Sequence, residues 1–206
     1  MNLSKYGLSE ELLIIFDHLT DEQKIEKAIQ KYPVKDVKNI FTYYELEQHP
    51  YAKKLILDKY KNSPEYLYYC AKDIIGGRWS EAEPIIMSSP EYTYLYSRIV
   101  IRGRWPEAEP TIIASPEYAY LYVRDIIKGR WPEAEPTIIK NVTYAYAYSR
   151  DIIKGRWPEA EPIIMSSSKY VYLYTLDIIK GRWPEAELAP MKDDCWWRAY
   201  KDNFNL

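Results

Sequence analysis

Five pairs of carboxylates are the first candidates for chemistry. Glu81 and Glu83 are separated by one alanine, and the pair returns as Glu107/Glu109, Glu133/Glu135, Glu159/Glu161 and Glu185/Glu187. Two carboxylates held close together are the raw material of general acid–base catalysis, one keeping its proton and the other ionised. Each pair follows an Arg-Trp dipeptide, with tyrosines upstream, so the same stretch could offer cations and π-faces to a nucleotide, a nucleic-acid strand or a phosphorylated peptide. The matching rows of Glu weaken that use, because they neutralise the Arg and repel phosphate. Recurrence weakens the catalytic use: five identical active sites in one chain are not expected, whereas stacked units need the same residues at every joint. The two histidines, His18 and His49, lie outside the repeats. No Cys/His cluster has metal-ligand spacing, and no phosphate loop, dinucleotide fingerprint or nucleophile elbow occurs. The chain is read as a non-enzyme without cofactor or metal.

The carboxylates belong to a sentence, Gly-Arg-Trp-(Pro/Ser)-Glu-Ala-Glu, that runs Gly77–Glu83, Gly103–Glu109, Gly129–Glu135, Gly155–Glu161 and Gly181–Glu187. Successive copies are 26 residues apart without slippage, a period that signals stacked supersecondary units. The third copy shows the unit best. Ser115 is placed as a cap, Pro116 at the first helical position and Glu117 in the first turn, while Lys128 lies in the last turn and Gly129 is placed as the left-handed stop. These signals predict a helix of roughly 12 residues. Tyr118, Tyr120 and Tyr122 alternate as in a strand, but Tyr118, Tyr122 and Ile126 continue one helical stripe and Ala119, Val123 and Ile127 the next. A second, shorter helix of about two turns is expected after Trp131, with Pro132 at its start; Pro136 does not suit a helix interior.

Residues 1–62 lack the repeat and read as four helices. Ser9 caps one that carries Leu12, Leu13, Ile15 and Phe16. Thr20 and Gln23 form a capping-box pattern ahead of Ile25, Ala28 and Ile29. A third runs from Asp36 to about Gln48, and Pro50 opens a fourth ending near Lys61. The expected architecture is all-α: a helical N-terminal cap (1–62), five helix-pair repeats forming a solenoid (63–192) and a C-terminal half-repeat (193–206), in which Trp196 and Tyr200 restate the first and third tyrosines. In the fifth copy Leu188 replaces the second signature proline and Ala189-Pro190-Met191 follows.

Compared with one another, the copies keep Gly, Arg, Trp, Glu, Ala and Glu. They vary after the first tyrosine (Leu67, Thr93, Ala119, Ala145, Val171), after the third (Ala71, Ser97, Val123, Ser149, Thr175) and before the signature Gly (Gly76, Arg102, Lys128, Lys154, Lys180). The constant residues are read as structural. Trp79, Trp105, Trp131, Trp157 and Trp183 plug the joints, and Arg78, Arg104, Arg130, Arg156 and Arg182 pair with a nearby Glu. Asp73, Asp125, Asp151 and Asp177, unfavourably placed near helix C-termini, call for partners such as Arg98, Arg124 or Arg150 on an adjacent helix. Recognition is expected at variable and terminal positions, with Arg102, Lys128, Lys154, Lys180, Trp197 and Arg198 as candidate partner-binding residues.

The totals agree with a binding protein. The chain has 206 residues, 22 Tyr, 7 Trp and 3 Phe, and a formal net charge of −2, which is not the basic footprint of a duplex-DNA binder. Cys70 and Cys195 make no disulfide framework. The apolar run Leu12–Phe16 is too short for a membrane span and follows Glu10 and Glu11, the wrong sign for a signal peptide. A cytoplasmic protein without membrane or nucleic-acid partner is expected.

The stretch Pro116–Pro136, Pro-Glu-Tyr-Ala-Tyr-Leu-Tyr-Val-Arg-Asp-Ile-Ile-Lys-Gly-Arg-Trp-Pro-Glu-Ala-Glu-Pro, resembles repeat arrays in proteins of tailed bacteriophages and some large viruses. The resemblance covers roughly residues 63–192 and implies a viral protein acting in the host cytoplasm. It brings no activity or site residues with it. The expected function is engagement, and inhibition, of a host protein. A nucleotide or small-molecule sink with pockets between units, or a self-assembling homo-oligomer, are the other readings.

Overall fold

In the computed structural model, which describes residues 7–188 and 195–206, the regular elements are all helical. The chain is an α-helical repeat array divided into two compact units, Met1–Trp105 and Pro106–Leu206. The division falls inside the second signature. Ala189, Pro190 and Met191 of the fifth copy lie outside the described residues.

The first unit opens with α1 (Glu10–Phe16), α2 (Asp21–Lys31), α3 (Val34–Tyr44) and α4 (Pro50–Tyr60). Ser9 Oγ accepts the Leu12 N–H at 3.2 Å. Thr20 and Gln23 close a full capping box, with bonds of 3.3 and 3.0 Å. Phe16, Ile25, Ala28, Ile29, Val37, Ile40, Phe41, Ala52 and Ile56 are buried together. Of the four residues expected inward on the first helix, Ile15 is exposed and Leu12 half-buried. Helix α3 stops earlier than Gln48, because Glu45 takes a left-handed conformation with φ 57°. Gln48 instead donates to the Ile75 carbonyl at 3.1 Å, joining these helices to the first repeat. There α4 packs on α5 (Pro64–Cys70), and α3 packs on the segment after it.

Each repeat is a seven-residue α-helix followed by five residues of π-helix. In the first unit these are α5 with Ala71–Ile75 and, beyond the short α6 (Glu83–Ile86), α7 (Pro90–Tyr96) with Ser97–Ile101. In the second unit, after the short α8 (Glu109–Ile113), they are α9 (Pro116–Tyr122) with Val123–Ile127, α11 (Val142–Tyr148) with Ser149–Ile153 and α13 (Ser168–Tyr174) with Thr175–Ile179. The short α10 (Glu135–Ile138), α12 (Glu161–Ile164) and α14 (Pro184–Glu187) alternate with them, and α15 (Cys195–Phe204) closes the chain. Long helices pack on their successors, α9 on α11, α11 on α13 and α13 on α15. Short helices fill the spaces: α10 touches both α9 and α11.

The π segments alter the expected stop. The left-handed residue is the one before the signature glycine: Gly76 (φ 72°), Arg102 (61°), Lys128 (58°), Lys154 (58°) and Lys180 (59°). Gly129 was the expected left-handed stop, but it and its counterparts have no positive φ. The closing bonds reach one residue further than in an ordinary helix end. Lys128 N–H bonds the Val123 carbonyl five residues back at 2.7 Å, and in other copies the glycine reaches six residues back, as Gly155 does to Ser149 at 3.3 Å. Helix α15 supplies the contrast. It has no π segment, and its left-handed residue is Asn205, one position earlier in the repeat register.

The second helix is shorter than expected. Where both prolines are present it begins at the second Glu rather than at the first proline, so Pro136 sits in the first turn of α10 and removes no needed donor. Where Leu188 replaces that proline, α14 begins at Pro184 instead. At the long helices, Ser89, Ser115 and Ser167 hold the extended cap geometry without a side-chain cap bond, whereas Asn141 Oδ1 accepts from Thr143 and Tyr144 at 2.9 and 3.4 Å.

A non-glycine residue in the left-handed region costs about 1 kcal/mol. Lys128→Gly should therefore raise stability by about 0.5–1 kcal/mol. Gly129→Ala should change it by less than about 0.5 kcal/mol, because nothing lies within 4 Å of an added Cβ. Chemical denaturation of the two variants checks this; the reverse ranking would restore Gly129 as the stop.

Candidate functional site

The signature residues and the third tyrosine form a relay that crosses from one copy to the next. The Trp backbone N–H donates to the hydroxyl of the tyrosine 17 residues ahead: Trp79 to Tyr96 at 2.7 Å, Trp131 to Tyr148 at 2.8 Å, Trp157 to Tyr174 at 2.7 Å and Trp183 to Tyr200 at 3.0 Å. The same hydroxyl donates to the second signature Glu, as in Tyr96 to Glu83 at 3.1 Å, Tyr148 to Glu135 at 2.9 Å and Tyr200 to Glu187 at 2.7 Å. That Glu is gripped from the other side by the signature Arg in a two-bonded fork: Arg78–Glu83, Arg130–Glu135, Arg156–Glu161 and Arg182–Glu187. The tyrosine ring then leans on the Trp of its own copy, with centroids 5.2 Å apart for Tyr96–Trp105, 5.0 Å for Tyr148–Trp157 and 5.1 Å for Tyr174–Trp183. All five signature Trp are at most 4% exposed.

A second row runs through the middle tyrosine. Tyr120 donates to Asp151 of the following copy at 2.6 Å, and Tyr146 donates to Asp177 in the same way. Asp151 is also forked by Arg150, its sequence neighbour, at 2.7 and 3.0 Å. Asp125 is held likewise by Arg124. The partner expected on an adjacent helix is thus the adjacent residue, whose guanidinium then lies over the middle tyrosine, 5.3 Å from the Tyr146 centroid for Arg150. The row is interrupted where Ile99 replaces Asp and Leu176 replaces Arg, and both apolar side chains are exposed.

The candidate residues fall into two groups. Arg102, Lys128, Lys154 and Lys180 are exposed, at the left-handed ends of the π segments. On α15, Arg198 is exposed at the place of the middle tyrosine, and Trp197 is half-buried, stacked on Tyr200 at 4.8 Å and 9°. The structural set is central to the relay, with Arg104 exposed and Trp105 buried. One expectation fails. The variable residues after the first and third tyrosines are buried in every copy, from Leu67 to Val171 and from Ala71 to Thr175, and so display nothing. Their variation is core exchange between Ala, Val, Thr and Ser, with hydroxyls turned onto the helix backbone: Ser97 to Thr93 O and Ser149 to Ala145 O, both at 2.8 Å.

The paired carboxylates are unlike each other. Glu133, Glu159 and Glu185 are exposed on the turn. Glu135 and Glu187 lie below the usual 4.5, held there first by the Arg fork and then by the tyrosine hydroxyl. Carboxylates locked in the ionised form are poor proton donors near neutral pH. Among the described residues no three His, Cys, Asp or Glu side chains converge to hold a metal, and no helix is long and apolar enough to cross a membrane. No family model, no curated protein and no solved structure matches the chain.

Tyr148→Phe leaves the buried Trp131 N–H without its acceptor and should cost about 1–3 kcal/mol. Trp131→Ala should cost about 3–5 kcal/mol. Both are checked by urea unfolding, and a Phe variant as stable as the parent would remove the relay from the fold's support. The relay also sets a pH window. Depressed carboxylates such as Glu135 contribute fully above their unfolded value of 4.5, and that stability is lost as pH falls through the lower folded value. Burial pushes Tyr148 and Tyr200 up to about 12, so the neutral phenol is kept in the fold while the unfolded chain ionises from 10 upward, and stability falls above pH 10. Melting midpoints across pH should therefore plateau between about 5 and about 10 and fall on both sides.

Proposed function

We propose that this is a non-enzymatic, viral binding protein that grips a host protein and blocks it by occupying its surface. The observation behind this reading is the row Lys128, Lys154 and Lys180 in the second unit. Three cationic side chains stand in a left-handed conformation that a glycine would hold at lower free energy, as Gly76 does in the first copy. Cost without a local contact in return favours a role outside the fold. The three lysines are exposed, and each follows a half-exposed isoleucine pair, Ile126/Ile127, Ile152/Ile153 and Ile178/Ile179. Consecutive π segments touch, so the pairs and lysines form a continuous edge. Alternating cation and apolar contact suits an acidic rim around an apolar patch on a partner protein, steered by charge and held by burial. The groups that could have served a nucleotide ladder are engaged: the signature Arg face their own Glu and the third tyrosines face Trp and Glu.

The triple substitution Lys128→Gly, Lys154→Gly and Lys180→Gly separates binding from folding. It should raise the melting midpoint by several degrees, at about 2–4 °C per kcal/mol. It should also abolish capture of the protein that the parent chain retains from host lysate, scored by quantitative mass spectrometry. The Lys→Glu triple should lose the same protein. A stabilised Gly triple that still captures it at parental yield would reject the row as the binding edge.

A further inference from the structure

A cavity of 440 Å³ lies in the first unit, between α4 and the first signature turn. Four of its lining residues, Pro50, Lys53, Lys54 and Leu57, follow the i, i+3, i+4, i+7 spacing of one helix face; Trp79 and Glu81 come from the turn. The second unit shows what the same place looks like between two repeats. There Trp157 and Glu159 stand for Trp79 and Glu81, the opposite wall is Pro132, Glu135, Pro136 and Ile139, and the volume is 200 Å³. Replacing a signature turn by α4 therefore does two things. It enlarges the groove into the size range of small-molecule sites, roughly 300–1,000 Å³. It also reverses the wall's charge, from Glu135, already committed to Arg130, to two lysines. Neither Lys53 nor Lys54 closes a salt bridge within 4.0 Å among the described residues, although Lys53 lies near enough to Glu81 to add to the backbone and Ser80 bonds that hold this carboxylate below its usual range. The turn differs as well: Ser80 stands where the other four copies have proline, and its hydroxyl donates to Glu81 at 2.9 Å, engaging the carboxylate within the turn.

We propose that this cavity binds a small organic anion, its apolar body against Pro50 and Leu57 and its acidic group on the ammonium groups of Lys53 and Lys54. Trp79 is buried and only its edge reaches the cavity floor, where the bond from its backbone to Tyr96 fixes it; Pro50 and Leu57 supply the apolar wall. Two adjacent ammonium groups act as point charges that accept a carboxylate or a phosphate alike. This site lies in the other unit from the lysine row and does not depend on it.

Calorimetric titration of the full chain decides the matter. The organic anions are naphthalene-2-carboxylate and adenosine monophosphate. Naphthalene-2-methanol tests apolar contact alone, and inorganic phosphate tests charge alone. At least one organic anion should bind one to one and at least about tenfold tighter than either control. Its rank against the other tells a carboxylate ligand from a phosphate one. The double substitution Lys53→Gln and Lys54→Gln should weaken binding about tenfold or more at an unchanged melting midpoint, and Glu81→Gln should tighten it about two- to fivefold by removing like charge. No binding by either organic anion at millimolar concentration, equal binding by a control, or affinity indifferent to the double substitution overturns the proposal. Should the double variant melt early, Glu81→Gln decides alone: unchanged affinity overturns it.

Discussion

One hydroxyl group at each joint holds a polar turn inside an aromatic core. When the chain leaves the π segment through Gly-Arg-Trp, the Trp N–H is buried with no backbone acceptor within reach, and a buried unpaired donor costs about 1–3 kcal/mol. The tyrosine of the next copy supplies the acceptor and spends its own proton on the signature Glu. Both uses of a phenol are filled. The Glu in turn is a charge brought toward a largely buried place, and the Arg fork makes that tolerable. Tryptophan, tyrosine, glutamate and arginine are thus constant together because each satisfies the last one's unmet bond. Phenylalanine would fill the same space and break the sequence of bonds, which accounts for tyrosine at 96, 148, 174 and 200.

The helix ends follow from fitting two helices into 26 residues. A π segment packs five residues into a wider turn, and its closing bonds are one residue longer than usual. That delays the left-handed residue to the position before the signature glycine, and α15, which lacks the π segment, turns one position sooner. The prolines play the matching part at the start of the short helix. Where the second proline is present the short α-helix starts at the second Glu, and where Leu188 replaces it the helix starts at the first proline. Backbone constraint, rather than side-chain packing, sets where the unit turns.

Much of this was legible because it is local. The period, the Ser-Pro-Glu starts, the Thr20–Gln23 capping box and the stripe through Ile25, Ala28 and Ile29 are written within a few residues, and the structure holds each in place. Four features were not legible. Glycine's freedom in the left-handed region points to Gly129, whereas the positive φ belongs to Lys128, one position earlier. Variation between copies reads as exposure, yet Thr93, Ala119 and Val171 are all buried. The tyrosine hydroxyl finds its partner 17 residues back, across a copy boundary, where no pattern points. The cavity beside Trp79 arises only because an unrepeated helix stands where a signature turn would otherwise be.

The ends of the array show which neighbour each residue serves. A third tyrosine stands at 96, 122, 148, 174 and 200, wherever a signature precedes it in sequence, and at the first copy, which has no predecessor, Cys70 takes its place. Cys70 is fully buried, and desolvation pushes its thiol up to about 12, so it acts as a small apolar filler and not as a nucleophile. Helix α15 keeps Tyr200 because Trp183 still needs an acceptor, although no signature follows it. The middle tyrosine looks the other way, toward the Asp of the next copy, and on α15 Arg198 stands at its place. The first tyrosine packs backward again. In the interior Tyr144 packs on Tyr120 and Tyr170 on Tyr146; at the start Tyr66 stacks on Tyr60 of α4, and on α15 Trp196 packs on Tyr172. At the first copy, where no signature precedes, the tyrosine that would serve it is absent too. The constancy inside the array is therefore the trace of pairwise bonding between copies. The lysines at the left-handed turns, exposed at the ends of the π segments, stand outside that bonding.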